Sequence, residues 1–174
     1  ALIATGPDRR ALMASYRYLV MGTVGATFYV IGVGLLYMMT GTLNMADMAE
    51  RLQPVLMTRT VLAAFAFLAV GLSLKLALVP LHLWLPNAYT YAPSVVTAFL
   101  AATATKVGVY VFVRFFYGIF GTRYAFDTLN LDNFLVPLGL AGIFVASLVA
   151  VFQSNIKRML AYSSIAQVGY MMVG

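Results

Sequence analysis

Apolar residues run through this chain in long unbroken stretches, and polar clusters separate those stretches at wide intervals. A transmembrane helix needs about 20 mostly apolar residues to cross a hydrocarbon core about 30 Å thick. Five stretches meet that need: residues 16–40, 60–79, 94–117, 134–152 and 158–174. No charge occurs from Tyr18 to Ala46, and none occurs in the fourth stretch. The predicted fold class is all-α: a polytopic bundle of about five spans in one membrane domain over residues 1–174. One helix is predicted to break across residues 80–93, where Pro80 and Pro86 each remove a backbone N–H and crowd the preceding turn. Leu2 to Thr5 read as the tail of an earlier span.

The connections follow from local chemistry. Gly6-Pro7-Asp8 is a turn sequence. Residues 40–44 end the first span, and residues 47–51 suit a short surface helix. Pro93-Ser94 suits the start of the third span, where a missing N–H is harmless. Gly118, Gly121, Asp127, Asn130, Asp132 and Asn133 mark a polar loop. Gly22, Gly25, Gly32 and Gly34 point to close helix packing. Trp84 reads as an interfacial anchor.

Composition narrows the function classes. Of 174 residues, 63% are hydrophobic and 9% charged, where a soluble domain carries about a quarter charged. The net charge of +6 does not indicate nucleic acid, because the basic residues form no patch or motif and several flank apolar runs, as anionic lipid and topology rules predict. With no cysteine, the chain has no disulfide, iron–sulfur cluster or thiolate metal site of its own. The Met, Tyr and Phe residues read as packing and aromatic belt, so the expected cofactor and metal content is none. The chain opens on Ala1 and closes on Gly174 within an apolar run, and is expected to be part of a longer protein.

Topology follows from the cations. Arg9, Arg10, Arg17, Lys157 and Arg158 fall on one side, expected to be cytoplasmic. Arg51, Arg59 and Arg123 fall on the other, with Arg114 nearby and snorkelling.

Two cations break this pattern. Lys75 and Lys106 interrupt the second and third apolar stretches, and charge within a span is costly and marks function by default. Lys75 is fifteen residues after Thr60, roughly 22 Å from that end. Lys106 is twelve residues after Ser94, roughly 18 Å from the opposite face. Both therefore fall inside the core, offset by roughly 10 Å along the normal. An ammonium taken out of water holds its proton less tightly, whereas arginine stays charged. The chain places the titratable cation at its two deepest positions. His82 lies in the break between them and serves as a connector, because histidine titrates nearest neutral pH. Ser73, Thr103 and Thr105 suit a hydrogen-bonded water file, and Thr103 and Tyr110 are expected to share a face with Lys106. No Asp or Glu lies inside the five spans.

These residues carry a resemblance. The run Lys75-x4-Pro80-Leu-His82-Leu-Trp84-Leu-Pro86, then Ala92-Pro93-Ser94, then Ala101-Ala102-Thr-Ala-Thr-Lys106-Val-Gly108-Val-Tyr110, resembles the proton-translocating antiporter-like subunits. Asp8-Arg9-Arg10-Ala11 and Lys157-Arg158-Met-Leu-Ala-Tyr162-Ser163-Ser164-Ile-Ala-Gln-Val-Gly169-Tyr170 agree. Such subunits occur in respiratory complex I, membrane-bound hydrogenases and Mrp-type sodium/proton antiporters. The phrase from Tyr37 to Asp47 leans toward the D-type member of the Mrp antiporters, as does Asn87, where many relatives have Asp. The resemblance implies helices six to ten of about fourteen in inverted repeats. It also implies that Lys75 pairs with a glutamate before Ala1, that Lys106 is the next relay, and that a later lysine or glutamate lies beyond Gly174.

The expected function is proton translocation in the bacterial cell membrane as the D-type component of an Mrp cation/proton antiporter, together with other membrane subunits, protons, Na+ and lipid. The alternative is the equivalent subunit of NADH-quinone oxidoreductase or a hydrogenase, with the redox chemistry elsewhere. A quinone-binding redox enzyme and a structural scaffold are the rivals of different class.

Overall fold

The computed structural model describes residues 2–6 and 8–174; the Pro7 turn lies outside the described residues. Among the described residues, seven α-helices follow a short 3-10 turn at Leu2–Thr5: α1 Arg9–Thr40, α2 Met45–Leu52, α3 Arg59–Leu76, α4 Trp84–Tyr91, α5 Ser94–Val113, α6 Asp132–Val151 and α7 Ile156–Val173. Four helical stretches among these residues are long and apolar enough to cross a membrane: Arg9–Thr40, Arg59–Leu76, Ser94–Ile119 and Asp132–Val151. The chain is an all-α, multi-pass integral membrane bundle. The fifth expected span, α7, is not among those four. It carries Lys157, Arg158, Ser163, Ser164 and Gln167.

Helix ends sit where side chains can satisfy orphan N–H groups. Asp8 accepts from Arg10 N, Asn44 from Ala46 N and Asp47 N, Thr58 from Val61 N, and Asn155 from Lys157 N and Arg158 N. The first helix therefore starts at Arg9, ahead of the apolar run. Gly41, at φ 72, closes it in the left-handed region that glycine adopts freely. α2 is the expected surface helix. It buries Met48 and Leu52 and carries an Arg51–Asp47 ion pair at 2.7 Å. The Arg51 hydrogen bond holds the Asp47 carboxyl below its usual range.

Glycines bring two antiparallel pairs into backbone contact. On α1 and α3, a Cβ at Gly71 would stand 2.8 Å from Tyr29 N and 2.9 Å from the Gly25 carbonyl oxygen. On α6 and α7, a Cβ at Gly169 would stand 2.7 Å from the Gly139 carbonyl oxygen. Gly25 and Gly32 thus do pack closely, whereas Gly22 and Gly34 face open space.

The expected polar loop after α5 is largely structured. α5 runs on as π-helical turns at Arg114–Ile119, and a second π stretch covers Arg123–Thr128. Phe120 N reaches the Phe115 carbonyl and Leu129 N reaches Tyr124, both at 3.1 Å. The segment buries Phe115, Phe116, Ile119, Phe120 and Tyr124, and Phe65 of α3 meets the rings of Phe116, Phe120 and Tyr124 at centroid distances of 4.8, 5.0 and 6.0 Å. Aromatic burial outweighs the few polar residues that marked a loop.

The topology grouping agrees with these contacts. Lys157 Nζ donates to the Ala92 carbonyl at 3.0 Å, joining the start of α7 to the end of α4. Arg10 of α1 lies beside the Tyr91 side chain at the same end. Arg114 lies 3.9 Å from Met45 Sδ at the other end.

Candidate functional site

The second span is not continuous to Val79. α3 stops at Leu76, and Ala77 adopts the left-handed conformation at φ 58. Two registers then fix the depth of the break. A Cβ at Gly25, sixteen residues into α1 from Arg9 and fifteen from Thr40, would meet Lys75 Cγ at 3.7 Å. Lys75 thus stands level with the middle of α1, more central than a 60–79 span implies. On the other side, a Cβ at Gly108 would meet Leu76 Cδ2 at 3.0 Å. Lys106 is two residues from Gly108 and Lys75 is one from Leu76. The two lysine backbones therefore sit within about 5 Å of each other along the helix axes, closer in depth than the offset of roughly 10 Å expected.

Two carbonyls in the last turn of α3, those of Ser73 and Leu74, have protein partners across the break. Trp84 is 6% exposed, and its indole Nε1 donates to the Leu74 carbonyl at 3.0 Å. Leu78 N donates to the Ser73 carbonyl at 3.1 Å, and Ala77 N to Leu74 at 3.3 Å. Trp84 is therefore a buried clamp on the half-helix end and not an interfacial anchor. Buried Trp N–H groups need such an acceptor, and that need was the available signal. Pro86 sits in the first turn of α4, where no helical bond is lost. Trp84→Phe should destabilise the assembled protein by about 1–2 kcal/mol. An unchanged melting temperature would argue against the clamp.

Lys75 occupies the last turn of α3, the helix end whose dipole favours a cation. Its side chain lines a cavity of about 760 Å³ between α1, α3, α5 and Trp84, together with Tyr18, Thr23, Tyr29 and Thr103. Lys106 lines a different space, a cavity of about 10 Å³ between α5 and α7, with Thr105, Ser164 and Gln167. Lys106 Nζ also donates to the Ala101 carbonyl of its own helix. Helical arithmetic accounts for the split. At about 100° per residue, Thr103, Ala104, Val107, Gly108 and Val111 centre on one side of α5, and Thr105, Lys106 and Val109 centre on the opposite side.

The sequence-predicted residues therefore divide. Thr103, a turn before Lys106 on α5, lines the Lys75 cavity; its hydroxyl donates to the Phe99 carbonyl at 2.8 Å. Thr105 is 2% exposed and lies with Lys106. Tyr110 is 64% exposed and lines neither cavity, nor does Ser73. His82 is buried in the turn before α4, and its Nδ1 has no hydrogen-bond partner among the described residues. It lines neither cavity. Sequence reasoning misses Gln167 and Ser164 as site residues, although they stand in the quoted α7 motif; only the tertiary approach of α7 to α5 marks them.

A broken helix with a lysine at its free end and a second lysine across the next helix fit an antiporter-like membrane subunit. The chain belongs to the family described as NADH:quinone oxidoreductase/Mrp antiporter, TM, which it matches over residues 2–174. It is 48% identical over 174 residues to NADH-quinone oxidoreductase subunit N of Desulforudis audaxviator, covering all of this chain and 34% of that protein. It is 38% identical over 178 residues to the subunit N of Acidithiobacillus ferrooxidans, covering all of this chain and 36% of that protein. Among solved structures, a chain of the membrane-bound sulfane sulfur reductase, an archaeal respiratory membrane complex, superposes with TM-score 0.87 at 35% identity, over 99% of this chain and 34% of that one. The Mrp complex from Dietzia sp. gives 0.81 at 29% identity over 95% and 30%. Respiratory complex I from Thermus thermophilus gives 0.73 at 29% identity over 97% and 35%. The chain spans about a third of the length of these relatives. The names of the curated relatives favour the NADH-quinone oxidoreductase alternative over the D-type Mrp reading.

Proposed function

We propose that this chain is the middle of a proton-translocating subunit of the NADH-quinone oxidoreductase subunit N kind, seated with other membrane subunits in a bacterial cell membrane. The observation that carries the reading is the placement of Lys75 and Lys106 at nearly one depth on opposite sides of α5. Two titratable cations so placed hand protons sideways within the membrane, not straight across it. Lys75 receives and releases the proton in the larger cavity. Its charge is supported by the α3 end and, in the intact protein, by the carboxylate that the family resemblance implies outside these residues. Thr105 is the buried polar side chain on the α5 face that carries Lys106, and Lys106 is the next carrier. His82, with a free buried nitrogen beside the break, is a connector for protons entering or leaving this pair. Thr103 supports water at the Lys75 cavity.

Lys75→Ala in the assembled complex should abolish proton transport in membrane vesicles while the protein still assembles. Transport at the normal rate would overturn the reading. The D-type Mrp antiporter component is the second reading, favoured by the superposition on the Dietzia complex and by the residues from Tyr37 to Asp47. Quinone reduction by NADH that drives vesicle acidification supports the first reading; acidification exchanged against added Na+ without redox turnover supports the second.

A further inference from the structure

Lys106 borders a space with unusual chemistry for an apolar bundle. About 10 Å³ lies between α5 and α7, lined by Thr105, Lys106, Ser164 and Gln167 among apolar neighbours Val109, Val168 and Met171. A cavity of roughly 10–15 Å³ holds one water if two to four polar groups meet it. This one is at the lower end of that volume, and four of its seven lining residues carry polar side chains. Ser164 Oγ donates to the Leu160 carbonyl at 3.0 Å, which leaves its lone pairs free to accept. Gln167 offers both a donor and an acceptor. It is neutral at every working pH, so it can orient a water without competing for the proton. Lys106 Nζ rests on the Ala101 carbonyl. Turned about its long side chain, the ammonium would face the space it borders on the α7 side.

We propose that Gln167, with Ser164 and Thr105, holds a single water against Lys106, and that the proton leaves Lys106 through this water. In that step one N–H bond of the ammonium breaks as an O–H bond forms on the water. One of the water's own protons moves on to a second water outside this space. The pocket water ends neutral and Lys106 ends as the free amine. Gln167 is a positioning residue in this scheme. The inference rests on the reading of Lys106 as a proton carrier.

The test uses the full-length protein in its assembled complex, with proton transport measured in membrane vesicles and Lys106→Ala as the reference. Gln167→Met keeps the volume and removes the amide. It should lower the transport rate about tenfold or more, the effect of losing a hydrogen bond to a charged group, at unchanged assembly. Gln167→Asn, which keeps a neutral donor and acceptor, should recover part of the rate; a purely space-filling role would be met by Met instead. Wild-type transport by Gln167→Met, with Lys106→Ala inactive, overturns the water site and leaves the relay standing. Wild-type transport by Lys106→Ala overturns the relay itself and the water site with it. Should Gln167→Met fail to assemble, Ser164→Ala carries the same comparison: a fall in rate supports the site and an unchanged rate contradicts it.

Discussion

Lys75→Arg is expected to assemble normally and to lower proton transport by at least about a hundredfold, the scale at which a positioned acid–base group contributes. Arginine keeps the positive charge, the long stem and the favourable interaction with the negative end of α3. It does not release a proton in proteins. A lysine retained only to balance charge or to snorkel would therefore be replaced by arginine with little loss. Vesicle acidification and the amount of assembled complex, measured side by side, separate the two. Transport near the wild-type rate in Lys75→Arg would assign Lys75 a structural role.

The second large effect concerns packing. Gly71→Leu should prevent the protein from accumulating in the membrane. A side chain there has nowhere to go, because the nearest atoms are backbone: Tyr29 N at 2.8 Å and the Gly25 carbonyl oxygen at 2.9 Å from a first added carbon. Even Gly71→Ala forces α1 and α3 apart, at a cost of about 1–3 kcal/mol. The displacement would also move Lys75, four residues on, relative to Gly25. Gly34→Ala is the control, since nothing lies within 4 Å of its added carbon. The level of membrane-inserted protein after urea washing measures both. Equal levels for Gly71→Leu and Gly34→Ala would contradict the close crossing.

Much of this arrangement is legible in the chain. The spans follow from apolar runs, and the two lysines stand out because almost nothing else charged enters those runs. Asp8, Asn44 and Asn155 name their helix starts by cap chemistry. Other features depend on contacts that a linear pattern does not carry. Ala77 takes the left-handed turn without a glycine to announce it, so α3 stops at Leu76, short of the expected Val79. The crossing of α1 at Gly25 places Lys75 at mid-depth. Thr103 looks like a neighbour of Lys106 by i−3 spacing, but α5 presents the two to different partners. Gln167 acquires meaning only because α7 lies against the Lys106 face. The aromatic π segment after α5 is hidden by its glycines and acids, although its Phe residues do the packing.

The proposed route makes Lys75 and Lys106 act in series on opposite sides of α5. Its most direct test is the proton transport rate of Lys75→Ala, Lys106→Ala and the double variant in one assembled complex. A series route predicts that either single variant stops transport and that the double variant is no worse. Additive partial losses, with each single variant keeping about half the rate, would mean two independent paths and would contradict the series route.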